Sequence, residues 1–419
     1  MAHPRDKLPG LIATVLCTGW LLSSCIAMAG NPATPRPLRV LFIGNSYTYY
    51  NNMPELFSKL AETGKAGVGE VRMVAPGGYR LKDHWKEGDA LRTLHEGRWH
   101  YVVLQDQSTL GVEQWIEGKR HVTSDEVFRP YAEKWAAEIR KSGAVLVFFL
   151  TWAGIDTPED QPALNYAYTS AARETQGRVA PVGVAWERVR QQWPSVNLFS
   201  IGRGSHPSPE GSYLAACTIY ATIFQKSPVG MPARIEGTPV NLDTAKVEAG
   251  KETVLVDLPP GVATALQTAA WDAFEEQRKS GGYLKVKPVP PPKLPPLPVG
   301  APLSPEVLKG TWTGKILFYP EGPVEMTLQL YGEQEGHAHL QMQYNSRDLA
   351  DESLNVAHFH LGYDEFTFSD PRSSGVANLP VRFRCVLAQD GRLHGMAESV
   401  ITDQTPPVRL IGDFVLEKH

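Results

Sequence analysis

Between Pro37 and Lys279 the chain alternates short apolar runs with longer stretches whose apolar residues recur every three or four positions. The runs are Val40 to Ile43, Val71 to Val74, Tyr101 to Leu104, Val145 to Leu150 and Val179 to Val184. The stretches between them include "PELFSKLAETG", "FRPYAEKWAAEIRKSG" and "ALNYAYTSAARETQG". In the second, Tyr131, Trp135 and Ile139 share one helical face and Gly143 follows as a stop. Runs without a polar alternate predict strands covered on both faces. Five of them interleaved with helices predict an α/β fold with a doubly wound parallel sheet. Ligands of such sheets sit beyond the carboxyl ends of the strands. The residues that end each run are therefore where chemistry is expected.

Further on, "GSYLAACTIYATIF" (Gly211 to Phe224) reads as an apolar helix, and "ETVLVDLPPG" as a short strand and turn. "VATALQTAAWDAFEEQRK" reads as a helix with Leu266, Ala270 and Phe274 on one face. These extend the first domain to residues 37–283. Nine prolines then fall between Pro288 and Pro305. Lacking amide donors and preferring an extended conformation, residues 284–303 read as a semi-rigid linker.

After the linker the pattern changes period. "TWTGKILF", "VEMTLQLY", "HAHLQMQY", "LNVAHFHL", "DEFTFS", "VRFRCVL", "RLHGMAES" and "VRLIGDFVL" are short, rich in strand formers and separated by turn residues. In "VEMTLQLY", Val324, Met326, Leu328 and Leu330 alternate onto one face. Residues 304–419 are thus expected to form an antiparallel all-β domain, a barrel or a sandwich, which periodicity does not distinguish.

The N-terminus is of another kind. Leu8 to Pro35 carry no charge, and "LIATVLCTGWLL" follows Arg5 and Lys7. This is the layout of a signal peptide over residues 1–29, too short for a good membrane span. "AMAG" offers a small-x-small cleavage site, whereas "LSSC" resembles a lipobox that would leave Cys25 lipidated and the chain anchored to a membrane. An exported protein is expected, whether periplasmic, outer-membrane-anchored or extracellular. Of the remaining cysteines, Cys217 and Cys385 fall in different domains, so buried free thiols are favoured over a disulfide, and no paired-Cys metal spacing exists. With a formal net charge of −4 and no Lys/Arg run, nucleic acid is discounted as a partner.

Which strand ends could do chemistry? "RVLFIGNSYTYY" ends its run in Gly44, Asn45 and Ser46. Ser46 is either a helix cap or a displayed nucleophile. A base is offered by His206 in "LFSIGRGSHPSPEGSYLAA", a polar loop ahead of the apolar helix. "VRMVAPGGYRL" supplies Gly77 and Gly78, where a backbone N–H can face a ligand, and "YVVLQDQS" ends in Gln105, Asp106, Gln107 and Ser108. His84, Trp115 and Trp152 lie just past strand ends and are candidate substrate contacts, although core packing is the commoner role of Trp. "HAH" (His337, His339) and "HFH" (His358, His360) place imidazoles on one strand face, but Gln341 and Gln343 continue the first of these as a solvated face. No metal and no cofactor is expected.

In order and spacing, "FIGNS", "APGGYRL", "VVLQDQS" and "SHPSPEGSYLAA" resemble the four blocks of SGNH (GDSL-type) hydrolases over roughly residues 37 to 275. They resemble in particular the bacterial branch of DUF4886-like domains, with Gly-Asn-Ser in the first block. The resemblance implies a flavodoxin-like three-layer sandwich and ester hydrolysis through an acyl-serine. It implies that Ser46 is nucleophile and first oxyanion donor, that Gly78 (or Gly77) and Gln107 complete the oxyanion hole, and that His206 is the base. The substrate it suggests is a small-molecule or carbohydrate ester.

One position departs from the pattern. The family's orienting Asp, three residues before the His, is here Arg203. Three readings stay open: a Ser46–His206 dyad oriented by a backbone carbonyl; a substitute carboxylate such as Glu210, Glu187 or Asp156; or a catalytically degenerate ligand- or glycan-binding domain.

Overall fold

The pivot of the fold is β1 (Leu38–Ile43), in which Val40, Leu41, Phe42 and Ile43 are all fully buried. Val40 and Phe42 point into one core and Leu41 and Ile43 into another, so the strand has helices on both sides. In the computed structural model the described residues are 37–419 except 112, 117–118, 123, 291–292, 294–295, 320–321, 335–336, 346–353, 356, 370–380 and 402–407. The expected signal peptide, Cys17 and Cys25 lie outside them.

Around β1 stand β2 (Val68–Val74), β3 (Tyr101–Leu104), β6 (Val145–Phe149) and β7 (Arg178–Ala180), all parallel, in the order β2-β1-β3-β6-β7. The chain reverses its winding direction between β1 and β3. That switch point opens a crevice beyond their carboxyl ends. One face carries α2 (Met53–Thr63), α7 (Val182–Gln192), α8 (Pro209–Phe224) and α9 (Pro260–Lys279). The other carries α3 (Leu81–Glu87), α4 (Asp89–Glu96), α5 (Phe128–Ser142) and α6 (Gln161–Thr175). A single turn, α1 (Ser46–Tyr49), follows β1 directly.

One expected run is corrected. Strand β7 stops at Ala180, and Val182 to Val184 open α7 instead of continuing the strand. Pro181 ends the ladder, and Val182, Ala185, Trp186 and Val189 recur at helical spacing and are buried.

Short pairs β8 (Arg234–Gly237) with β11 (Thr253–Asp257), and β9 (Val240–Asn241) with β10 (Lys246–Val247), lie before α9. Leu284 still packs on the first core, and at the far end of the proline segment Ala301 N donates to Leu387 O at 2.8 Å. The linker's two ends are therefore tied to the two halves.

After α10 (Pro305–Leu308) come β12 (Gly310–Tyr319), β13 (Gly322–Gln334), β14 (His337–Asn345), β15 (Leu354–Asn355), β16 (Ala357–Leu361), β17 (Phe366–Ser369), β18 (Arg382–Leu387), β19 (Leu393–Ile401) and β20 (Val408–Lys418). They form one continuous antiparallel sheet, β15-β14-β13-β12-β20-β19-β18-β17-β16. Trp312, Leu328, Phe368, Phe383, Leu393 and Leu416 meet in a single cluster, so the sheet curls around one core. A hairpin from the first half joins it: β4 (Glu113–Ile116) pairs with β20, and β5 (Lys119–Val122) with β4. Cys217 and Cys385 are free and buried, each in its own half's core.

Candidate active site

The turn after β1 is built around close approach. A Cβ on Gly44 would collide with the Thr48 hydroxyl and Gln105 Oε1, so only glycine lets the two meet above it. Gln105 is fully buried. Its Oε1 accepts from Asn45 N and Thr48 Oγ1, both at 2.9 Å, and its Nε2 donates to Asn45 Oδ1 at 2.9 Å. Asn45 Oδ1 also caps α1 by accepting from Tyr47 N at 3.1 Å, while Asn45 Nδ2 donates to Tyr79 O at 2.8 Å. One amide thus ties the loops after β1, β2 and β3 together.

Ser46 opens α1, and its Oγ lies 2.9 Å from His206 Nε2. On the other side of the ring, His206 Nδ1 donates to the carbonyl of Arg203 at 2.7 Å. A carbonyl only accepts, so Nδ1 carries the proton and Nε2 is left to accept from the Ser46 hydroxyl. Burial holds the His206 pKa below the ordinary histidine value. The cations Arg120 and Arg203 push the same way, and only the Arg203 carbonyl opposes. In this tautomer the lone pair of Nε2 faces the Ser46 hydroxyl.

How does the loop aim this carbonyl? Gly202 and Gly204, with φ of +70° and +59°, flank Arg203 in the left-handed region. Ser200 N donates to His206 O at 2.8 Å and Ser208 N to Leu198 O at 2.9 Å, closing the loop as a small hairpin. Ser208 then caps α8 by accepting from Gly211 N at 3.1 Å. Tyr50 stacks on the imidazole, centroids 4.5 Å apart. Tyr50 is turned there by two consecutive left-handed residues, Asn51 (φ 53°) and Asn52 (φ 44°). Their amides are anchored, Asn51 Nδ2 to Ser212 Oγ at 2.8 Å and Asn52 Nδ2 to Thr238 O at 2.7 Å.

Both nitrogens of His206 are thereby engaged, and neither meets Glu210, Glu187 or Asp156. Where the resemblance expects a carboxylate side chain, this chain presents the main-chain oxygen of the same position. The cationic side chain of Arg203 is exposed and is not what touches the ring. Of the three readings left open by the sequence, this geometry is the one drawn for a backbone-carbonyl orienter.

The expected oxyanion donors lie on the neighbouring loops. Gly78 is left-handed (φ +71°) on the loop that Asn45 holds at Tyr79. Gln107 follows β3; its Oε1 accepts from Thr109 N at 2.8 Å, so any donor role falls to Nε2. Between these loops lies Asp106, fully buried, with Oδ1 accepting from Gln107 N at 2.6 Å and Leu81 N at 3.2 Å. Burial raises its pKa to about 7 against the pull of those two amides.

Two expected substrate contacts are corrected. His84 is buried and its Nε2 donates to Gly44 O at 2.7 Å, so it braces the Gly44–Ser46 turn from behind. Trp152 is fully buried, stacked between Tyr47 (4.4 Å) and Trp186 (3.8 Å), with Nε1 donating to Ser205 O at 2.9 Å. Both support the site from inside and do not line it. The side chain of Trp115 lies outside the described residues, as do those of His337, His339 and His358. Among the described residues no group of three or more His, Cys, Asp or Glu is arranged to hold a metal ion.

Sequence reading picked out Asn45, Gln105 and Asp106 as strand-end residues but not as the buried braces they are, and it missed Tyr50 and Asn51 altogether. The signal for bracing is polar residues directly abutting apolar runs, "IGNS" and "LQDQ", where burial continues past the strand end.

No family model matches the chain, and none of the curated proteins does. Among solved structures it is similar to a candidate SGNH hydrolase from Slackia heliotrinireducens, with 24% identity over 45% of this chain and 100% of that one, TM-score 0.37. It is also similar to a DUF4886 family protein from Bacteroides uniformis, with 19% identity over 60% of this chain and all of that one, TM-score 0.41. A psychrotrophic esterase from Pseudoalteromonas sp. shares 12% identity over 45% of this chain and 97% of its own, TM-score 0.32.

Proposed function

We propose that this chain is an exported serine hydrolase of ester bonds, with an O-acylated carbohydrate as its substrate class. The observation that carries the reading is the pair of contacts on one imidazole: Ser46 Oγ at 2.9 Å on Nε2 and the Arg203 carbonyl at 2.7 Å on Nδ1. In this mechanism Nε2 takes the Ser46 proton as Oγ attacks the ester carbonyl. The N–H of Ser46, the N–H of Gly78 and Gln107 Nε2 face the developing oxyanion. The imidazolium then returns its proton to the departing alcohol, and water, activated by the same nitrogen, releases the acyl group from Ser46.

A carbonyl in place of a carboxylate has a definite consequence. In serine proteases, exchanging the orienting Asp for Asn costs about 10⁴ in turnover because the wrong tautomer is selected. The Arg203 carbonyl selects the right tautomer, so that loss is avoided. It carries only a partial charge, so the imidazolium is less stabilised than in a full triad. A working dyad with modest turnover is the expectation.

The test is hydrolysis of short-chain nitrophenyl esters and O-acetylated sugars by the purified protein beside Ser46→Ala and His206→Ala. Each variant should lose about 10³-fold or more in kcat. Hydrolysis absent throughout, or equal in all three proteins, overturns the reading.

A further inference from the structure

The ring of Tyr50 lies face to face with the imidazole of His206, centroids 4.5 Å apart and planes within 17° of parallel. The stack is fixed from both sides. Tyr50 is buried, packed with Tyr49 and Ala75, and its carbonyl accepts from Ser212 Oγ at 3.2 Å. The side chain of the next residue, Asn51, donates to Ser212 Oγ at 2.8 Å and to Pro207 O at 3.2 Å. Pro207 directly follows His206. One amide therefore joins the residue after the ring to the residue after the base, and the two rings are held in register.

What could such a ring do beyond filling space? The face of an aromatic ring carries the negative side of its quadrupole, so it attracts a cation placed above it, and more strongly where water is kept away. In the hydrolysis described above, the imidazole is a cation only while Nε2 holds the proton taken from Ser46. The attraction is therefore stronger in the transition state than in the resting site, and that difference lowers the barrier. The other influences on this charge are mostly adverse. Burial disfavours it, Arg120 from β5 and Arg203 from the histidine's own loop are cations, and the Arg203 carbonyl offers only a partial negative charge. A second ring, Tyr47, meets the imidazole at a steep angle, centroids 5.7 Å apart and planes at 76°, and burial keeps its phenol neutral.

We propose that Tyr50 takes over part of the role of a triad carboxylate: the face of its ring stabilises the positive charge that forms on His206 as Ser46 gives up its proton. The proposal rests on the esterase reading above and adds to that site a positioning residue that acts through His206.

The test keeps the shape of the ring and changes its charge distribution. Position 50 is filled with Phe and with phenylalanines carrying one, two and three ring fluorines, which draw electron density from the face. Tyr50→Leu removes the face altogether. Two quantities are read: kcat on a short-chain nitrophenyl ester, and the pKa of His206 by NMR of histidine-labelled protein, its signal identified by its loss in His206→Ala. Tyr50→Phe should stay within about 3-fold of the unmodified protein in kcat. Along the fluorine series kcat should fall stepwise, to a loss of about 10-fold with three fluorines and in Tyr50→Leu. The pKa should fall in parallel by about 0.5 to 1, because the charged form loses its partner while the neutral form does not. A ring that only fills space would leave both quantities level along the series. Should Tyr50→Leu not fold, the fluorine series decides. A level kcat or a level pKa, with Ser46-dependent hydrolysis intact, overturns the proposal and leaves the esterase reading standing. Absence of Ser46-dependent hydrolysis from every protein overturns both.

Discussion

The two halves of the chain bury their strands in opposite ways. In the parallel sheet, β1 is covered on both faces, so polar groups can appear only where the strand stops. Asn45 and Ser46 after β1, and Gln105 and Asp106 after β3, collect there and are themselves buried. In the curled antiparallel sheet burial alternates: Phe383 and Cys385 face the core while Arg382 and Arg384 face out. Polar groups are spread along those strands and are not gathered at their ends. A sheet covered on both sides concentrates its chemistry; a sheet covered on one side disperses it. The two halves meet through the β4–β5 hairpin, whose first strand pairs with β20.

Glycine substitutions give the sharpest way to break this contrast. A Cβ at Gly44 meets Thr48 and Gln105, and one at Gly395 in β19 meets the ring of Phe414 directly opposite. Gly44→Ala and Gly395→Ala should each lose roughly 1–3 kcal/mol of stability by overpacking. Only Gly44→Ala should also lose about 10²-fold in turnover per folded molecule, because it displaces the nucleophile turn by a fraction of an ångström to an ångström. Thermal unfolding beside kcat on a nitrophenyl ester reads both. Equal activity loss in the two variants would dissolve the distinction between the halves.

A smaller effect concerns pH. Burial, with Arg120 and Arg203 acting in the same direction, disfavours the charged form of His206. The base therefore remains neutral to lower pH, and the acid limb of kcat/KM should fall below the ordinary histidine value of about 6.5. Replacing Arg120 by Gln should move that limb upward. A limb at or above about 6.5 in the unmodified protein would mean that His206 is not held in the environment described.

How much of this was legible in the amino-acid order? The strands were, because a run such as "VLFI" without polar alternates has few other uses and "VEMTLQLY" has a clean period of two. The Val179 run misled because Pro181 splits it, and valines serve a helix as well as a strand when a tryptophan follows at the right spacing. The pairing of Ser46 with His206 was expected from the order of the four blocks, and the two side chains do meet. The group on the other ring nitrogen was left among three readings, since a main-chain carbonyl leaves no side-chain signature: at position 203 the sequence displays an arginine while the contact is made by its peptide oxygen. His84 and Trp152 were misplaced for a related reason. A polar or aromatic residue past a strand end can face the crevice or brace it from below, and only packing decides. The β4–β5 hairpin was missed because its partner strand lies some three hundred residues away in the chain.

The central claim is that Ser46 is a nucleophile made reactive by a histidine whose Nδ1 is held by the Arg203 carbonyl. It is tested most directly by labelling the protein with a fluorophosphonate ester and locating the adduct by mass spectrometry. The account predicts one adduct, on Ser46, forming in the unmodified protein and in Arg203→Ala, and lost in His206→Ala. An adduct elsewhere, none at all, or labelling of Ser46 that ignores the removal of His206 would contradict it.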